Sequence, residues 1–600
     1  MTAAPVPSGW QGQRHWHVLG IGQGLALDFL QTWQAWQQDP QGPERLFYTA
    51  VTDSPDSASE LARLGHANPT HQDLMAELGP LWRGLLPGVH RLVLGHGRVQ
   101  LTLCVGPADK MLRETDVAAD RVWLAQWPTA GDAAQHMLKA ISRLCKPGTH
   151  LHCGTAWPDD APAVLLPCGF DTDNASQGGT MRHAVFAPRW TTRTRQRSAS
   201  RPDGQPRQAL VLGAGLSGSA TAFSLAQRGW QVHVLDAGTA PGAGASGLPA
   251  GLTAPHVSPD DNILSRITRA GVRATVQRAR QLLKTGQDWA PTGVLEHRVE
   301  GKRSLPVSEA WPLAGHEWST PASSEHLTQA GLPAHAQALW HSLGAWIRPR
   351  QLARAQLQAC GVQVHWQCRV ARLVRTGQDW QALDAQGQAL GRAPVLIVAG
   401  GYDTRALMQD LSPAHAPLPL NPLRGQISMG PLSALPEAIA QQLPPFPVNG
   451  HGSFITGVPM PGHAPDTPGE AGWYLGSTFE RACPEALLRD EDHAANHARL
   501  ATLLPALSEP MRPAFALDQV SGWAGLRCTL PDRVPAVGEL DAERWPGLHI
   551  CAGMGARGIS LSVLAGELIA AQLEGEPLPL APSLAQHLAA SRFAARQLQA

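Results

Sequence analysis

At 600 residues the chain is several times the usual domain size, so at least two folded units are expected. Hydrophobic residues make up 43% and charged residues 16%, with 60 Gly and 51 Pro, which excludes a disordered or collagen-like chain and fits a turn-rich globular one. Lys and Arg number 48 and balance 48 Asp and Glu, so a nucleic acid or an anionic membrane would have to be held by a local patch, not by net charge. The nine Cys form no CxxC pair and have no His at ligand spacing, which argues against a disulfide framework and against a metal site. The opening MTAAPVPSGW lacks the features of a secretion signal, and no apolar run reaches the roughly 18 residues of a membrane span. A cytoplasmic chain without membrane contact is expected.

In chain order, HWHVLGIGQGLALDFL reads as a strand, a Gly-rich turn and a helix, and LFYTAVTDS and ADRVWLAQW read as further apolar strands. Helical stretches such as SASELARL and AAQHMLKAISRL lie between them. This alternation implies a parallel sheet covered by helices, a first α/β domain over residues 1–187. Residues 188–207, PRWTTRTRQRSASRPDGQPR, lose the apolar periodicity and carry Arg189, Arg193, Arg195, Arg197, Arg201 and Arg207 against Asp203. This linker is the most basic segment of the chain; it is either a solvated connector or a phosphate-attracting arm.

A second α/β domain starts at about residue 208 with QALVLGAGLSGSATAFSLAQRGWQVHVLDAG, a full strand, turn, helix, strand unit. Gly213, Gly215 and Gly218, with Ala214 and Ser217 between them, directly follow the strand and open the helix, and Asp236 ends the next strand. The first Gly permits the tight turn, the second a close approach of a pyrophosphate, the third packing of helix on strand; the helix N-terminus adds positive dipole. Asp236 is placed to accept hydrogen bonds from an adenosine ribose. Flavin and nicotinamide dinucleotides both use such a unit. Here a loop containing Ala245 and Ser246 follows it, and VLIVAGG ends a returning strand at Gly400. Near the far end, GLHICAGMGARGISLSVLAGELIAAQL repeats strand, Gly turn and helix through Gly553, Met554, Gly555, Ala556, Arg557, Gly558 and Ile559. The two-ended layout favours FAD, whose anionic reduced ring would be stabilised at the second helix N-terminus.

The segments VLGAGLSGSATAFSLAQRGW, GASGLPAGLTAPHVSPDDN, GAWIRP, PLNPLRGQISMGP, GSTFER, GLRCTLPDRVPAVG and GMGARGISLSVLAGELIAAQLEGEPLPL occur here in the order of one family. The chain resembles the bifunctional tRNA 5-methylaminomethyl-2-thiouridine biosynthesis proteins, whose C-terminal half is a flavin oxidase of the glycine and D-amino-acid oxidase type. Leu248 stands where the family shows Asn. The resemblance implies an N-terminal Rossmann-like methyltransferase domain, followed over 208–600 by an FAD-binding Rossmann domain with an interleaved α+β substrate domain. Cofactor segments are expected at about 208–270, 345–405 and 520–580, and substrate regions mainly at 271–344 and 406–519.

It also implies the chemistry: FAD-dependent removal of the carboxymethyl group from 5-carboxymethylaminomethyl-(2-thio)uridine at the tRNA wobble position, with oxygen reoxidising the flavin. Methylation to 5-methylaminomethyl by the N-terminal half, with S-adenosylmethionine, would follow. The substrate arm is an N-substituted glycine, whose carboxylate is best oriented by a bidentate Arg. Arg527 in AGLRC resembles that Arg, with Arg424 in PLRGQ and Arg557 in GMGARG as rivals beside the flavin; Arg533 in PDR is expected to be a structural ion-pair partner.

In the N-terminal half HVLGIGQGLALDF resembles the methyltransferase turn, with Gly20, Gly22 and Gly24 retained to approach S-adenosylmethionine. The family's ribose-binding Glu, adenine-binding Asp and amine-site Asp correspond to Thr52, Pro107 and Ala125, with Asp53 one place beyond Thr52. A degenerate methyltransferase half is expected. Two alternatives stand beside this reading: an FAD oxidase of a free N-alkylglycine or D-amino acid, and a non-catalytic tRNA-binding module.

Overall fold

The computed structural model describes residues 9–67, 69–128, 132–172, 183–190, 206–299, 304–306, 311–412, 418–462 and 468–593. Arg193, Arg195, Arg197 and Arg201 of the basic linker lie outside the described residues. The chain divides into two units, the first comprising residues 1–200 and 574–585, the second 201–573 and 586–600.

The first unit is built on an eight-stranded sheet of β1 (His15–Ile21), β2 (Arg45–Thr52), β3 (Gly88–Leu94), β4 (Val99–Val105), β5 (Ala119–Leu124), β6 (Cys145–Cys153), β7 (Phe170–Asp171) and β8 (His183–Phe186). Their order is β3-β4-β2-β1-β5-β6-β8-β7, and β4, β2, β1, β5 and β6 run parallel. Every residue of β2, β4 and β5 is buried, because helices cover both faces, and this is why these strands read as unbroken apolar runs. Strand order reverses between β1 and β5, the place where open α/β sheets form their ligand crevice. The turn Gly20–Gly24 leaves β1 there and enters helix α1 (Leu25–Gln38).

Residues 574–585, expected within the oxidoreductase half, belong to the first unit instead. Glu576 is buried 3.7 Å from Arg45 Nε, and Arg91 Nη2 donates to the carbonyls of Pro577 and Leu578 at 2.7 and 3.0 Å. A segment without periodicity is thus fixed by two arginines of the first sheet.

The second unit contains a six-stranded sheet ordered β11-β10-β9-β12-β16-β15. It is formed by β9 (Gln208–Leu212), β10 (Gln231–Leu235), β11 (Gln363–His365), β12 (Val395–Val398), β15 (Ala536–Glu539) and β16 (Leu548–Ala552). A nine-stranded sheet carries β13 (Asn421–Pro431) and β14 (Ser521–Thr529), paired antiparallel along their length. Residues 521–529 were expected among the cofactor segments; their pairing with β13 places them in the other sheet.

Helices α2 (Leu216–Ala226), α3 (Ile263–Leu282), α4 (Pro349–Ala359) and α5 (Gly558–Glu574) meet around one largely buried charge, Glu567. Its carboxylate accepts from Ser224 Oγ at 2.7 Å, Arg228 Nη2 at 3.0 Å and Arg278 Nη2 at 2.8 Å. Arg278 continues to Gln356 on α4, and Gln356 donates to Ser219 on α2. Burial pushes the Glu567 carboxyl up, but Arg228, Arg278 and the Ser224 hydroxyl outweigh it and hold the group well below the ordinary range. The stretch Gly555–Glu574 is long and apolar enough to cross a membrane by length and composition, yet 67% of it is buried inside the protein as a core helix.

Candidate active site

The turn after β9 is shaped by contacts that only glycine allows. Gly213 has φ +106°, and a Cβ there would lie 2.6 Å from the Ala399 carbonyl oxygen. A Cβ on Gly218 would run into the carbonyl oxygen of Gly213. Gly215 forms the N-cap of α2, whose first-turn amides have no partner within the helix. Ser246, from the 3-10 turn Ala245–Gly247, accepts from Leu216 N at 2.9 Å and so fixes its loop over the start of α2. Asp236 Oδ2 accepts from Ala214 N at 2.6 Å and Oδ1 from Gly238 N at 2.7 Å. The carboxylate expected to hold ribose therefore also braces the glycine turn, one amide on each oxygen. Gly400 follows β12 and, like the turn itself, lies at the carboxyl end of the parallel strands.

The second glycine turn has Gly553 at φ +80° and Gly555 at φ +57°, and Gly555–Arg557 winds as a 3-10 turn into Gly558 and α5. Thr275 Oγ1 donates to the Ile559 carbonyl at 2.9 Å, and Ser560 Oγ lies 2.9 Å from Thr253 Oγ1. Two helix N-termini, one at each end of the unit's sequence, thus flank the same sheet. This donor set fits FAD: amides and positive dipole for a pyrophosphate at α2, and a second positive helix end for the ring. Replacing Gly218 with Ala is expected to destabilise the unit by about 3 kcal/mol and to yield largely colourless protein on purification, read from the visible flavin spectrum.

Arg527 lies on β14, opposite Leu423 of β13, and Thr529 two residues on bridges to Met554 of the second glycine turn. Its Nη2 donates to Ser477 Oγ at 3.2 Å and to the Thr478 carbonyl at 3.3 Å, and its Cζ lies 4.6 Å from the Phe479 ring centroid. Burial pushes its pKa down to about 10, so it remains a cation at neutral pH. No carboxylate pairs with it among the described residues. A largely buried guanidinium without a counterion is suited to bind a carboxylate from outside the protein. Gly425 makes the room: a Cβ at that position would collide with Arg527 Nη2. Gly425 was missed as a site residue, although its place after Arg424 in PLRGQ was the available signal.

Arg424 does not join it. Its side chain is 1% exposed and is consumed by Asp492 at 2.7 Å, Glu480 at 3.5 Å, Gln426 and the Leu487 carbonyl. Asn421, Pro422 and Leu423 at the start of β13 line the cavity, while Arg424 is turned away into its ion pairs. Arg533 is also reassigned: Arg592 takes the neighbouring Asp532 at 3.0 Å, while Arg533 lines the cavity.

That cavity has a volume of about 700 Å³ and is walled by Gly553, Gly555, Ala556 and Arg557 on one side and by Asn421, Leu423 and Thr529 on another. Arg405, Arg481, Arg533 and Arg557 line it, and among the described residues no Asp, Glu or His does. Among the described residues no cluster of three His, Cys, Asp or Glu is arranged to hold a metal.

In the first unit the retained glycines have packing reasons of their own. A Cβ on Gly20 would lie 2.5 Å from Tyr48 Oη, and one on Gly22 would lie 2.8 Å from the Ala125 Cβ. Gly24 is the left-handed N-cap of α1. Thr52 donates its hydroxyl to the Ser54 carbonyl at 3.0 Å, Asp53 is exposed, and Pro107 caps a short helix. Asp56 accepts from Ala26 N at 3.2 Å in the first turn of α1. At the three positions named above, no acidic side chain is offered to a ribose, an adenine or an amine, so these residues do not fit S-adenosylmethionine.

The FAD dependent oxidoreductase family matches residues 208–572. The tRNA 5-methylaminomethyl-2-thiouridine biosynthesis bifunctional protein MnmC of Polaromonas sp. is 43% identical over 598 residues, covering 97% of this chain and 92% of its own. The protein of the same name from Paracidovorax citrulli is 44% identical, covering 98% and 94%. Among solved structures, L-proline dehydrogenase from P. horikoshii superposes with a TM-score of 0.50 at 14% identity, covering 65% of this chain and 98% of that one.

Proposed function

The chain belongs to the family of bifunctional tRNA 5-methylaminomethyl-2-thiouridine biosynthesis proteins, and on that premise we propose which reaction its second unit performs. The unit oxidises the carboxymethylaminomethyl arm of the tRNA wobble uridine, releasing the carboxymethyl group as glyoxylate and leaving 5-aminomethyl-(2-thio)uridine. The observation that carries this is Arg527, a largely buried cation with no paired carboxylate among the described residues, opposite Leu423 and over the Phe479 ring, both of which line the cavity. FAD, when bound, supplies the two-electron acceptor, and oxygen is the proposed terminal oxidant.

Gly213, Gly215, Ser217 and Gly218 at α2 would hold the pyrophosphate, Asp236 the ribose end, and Gly553–Ile559 the ring end. Arg527 takes the substrate carboxylate in its fork and so aligns the adjacent methylene and amine. The arm loses two electrons and two protons across its N–CH2 bond; water adds to the C=N bond and splits it into the primary amine and glyoxylate. The amine must be neutral to assist. Four arginines around it favour loss of its proton, since like charge lowers the pKa of an ammonium, and no side-chain base is needed.

Mass spectrometry of nucleosides from carboxymethylaminomethyl tRNA treated with the full chain tests the reading. Conversion to the aminomethyl nucleoside with glyoxylate in equal amount is expected; glyoxylate from free sarcosine but none from tRNA would overturn it. The reading places the protein in the cytoplasm with its tRNA. A free-amine oxidase would share Arg527 but gives no reason for the first unit.

For the first unit, the proposal is a scaffold without effective methyl transfer, since Thr52, Pro107 and Ala125 replace the polar groups a nucleoside cofactor needs. Isothermal titration of the full chain with S-adenosylmethionine is expected to give no binding in the micromolar range. Micromolar affinity would contradict it.

A further inference from the structure

Resting on the tRNA reading above, we propose that the arginine rim of the cavity clamps the anticodon loop. Arg405, Arg481 and Arg533 take backbone phosphates, and the Phe479 ring stacks on the wobble base. Arg405, Arg481 and Arg533 are exposed, line one cavity, and make no ion pair with a carboxylate among the described residues; Arg405 donates to Tyr402 Oη at 3.1 Å. Three acidic side chains adjacent in sequence to these arginines or their wall are drawn to other cations. Asp403 lies 3.5 Å from Arg369, Glu480 2.8 Å from Arg489, and Asp532 3.0 Å from Arg592. Arg405, Arg481 and Arg533 thus give this side of the cavity a positive field without ion-paired carboxylates among the described residues, which favours a polyanion.

Phe479 is 50% exposed although it carries Arg527 on its ring, so part of the ring is open. Single-stranded RNA is recognised by splaying bases onto aromatic rings while cations follow the backbone. Here the stacking ring and the carboxylate-binding Arg527 are in contact, so a stacked wobble base would carry its carboxymethyl arm toward Arg527.

The test uses the FAD-loaded full chain and an anticodon stem-loop RNA with 2-aminopurine at the wobble position, titrated by fluorescence over a salt series. Binding to the parent protein is expected to quench the probe. The combined Arg405→Gln, Arg481→Gln and Arg533→Gln variant should bind about 10- to 100-fold more weakly, with the salt slope reduced by about 2, at roughly 0.7 per phosphate contact. The corresponding triple Lys variant should recover that slope. Phe479→Ala should abolish the quench and weaken binding about 10-fold. A retained flavin spectrum identifies folded variants. Parental affinity and slope in the Gln variant, or an unchanged quench in Phe479→Ala, would overturn the clamp even if the parent still converts modified tRNA. A parent that neither binds the stem-loop nor converts tRNA would overturn the underlying reading as well.

Discussion

Arg527→Ala is expected to lower kcat/KM on modified tRNA by about 10²- to 10⁴-fold while FAD stays bound. The magnitude follows from the bond it would make: a desolvated charge pair broken on one side costs about 3–5 kcal/mol, and each 1.36 kcal/mol is tenfold. Part of this loss should appear in kcat, because the same contact aligns the reacting methylene, and part in KM. Arg527→Lys should recover no more than about tenfold, since a point charge keeps attraction but loses the planar fork. Gly425→Ala should resemble Arg527→Ala, because its Cβ would displace the guanidinium. Steady-state kinetics with flavin content measured in parallel checks all three; unchanged kinetics in Arg527→Ala would move the carboxylate to Arg557.

The second large effect concerns stability. Glu567→Gln leaves Arg228 and Arg278 buried side by side without their counter-charge, a change that costs about 3–5 kcal/mol. Flavin release on heating should shift down by roughly 5–10 °C. The network also has a defined acid dependence. Pairing holds the folded-state pKa of Glu567 below its unfolded value, so its contribution is complete above the ordinary glutamate range and is lost as pH falls through the lowered value. The parent's melting temperature should therefore fall more steeply with acid than that of Glu567→Gln.

What could be read from the chain alone was local. The turn Gly213–Gly218 declares itself because backbone contacts at Gly213 and Gly218 exclude a side chain, and Asp236 because it ends the next strand. The choice of Arg527 over its rivals Arg424 and Arg557, and the role of Arg533, were not local. Arg424 and Arg527 sit on paired strands, and only the register decides which guanidinium lies opposite the cavity-lining Leu423 and which meets Asp492. Arg533 faces the cavity because Arg592, far along the chain, takes Asp532. The segment 574–585 was assigned to the wrong half for a related reason. Its anchors, Arg45 and Arg91, lie hundreds of residues away and leave no periodic pattern in EGEPLPL. In the first unit the Gly-rich turn was read correctly as strand, turn and helix, but Tyr48 and Ala125 give Gly20 and Gly22 packing reasons independent of any cofactor.

The most direct measurement is an anaerobic mixing experiment: the FAD-loaded chain with tRNA carrying the carboxymethylaminomethyl arm, followed in the visible flavin band. Bleaching of the band with one glyoxylate formed per flavin is the expected result, much diminished in Arg527→Ala. A band that stays unbleached by modified tRNA, yet bleaches with a free N-alkylglycine, would contradict the assignment.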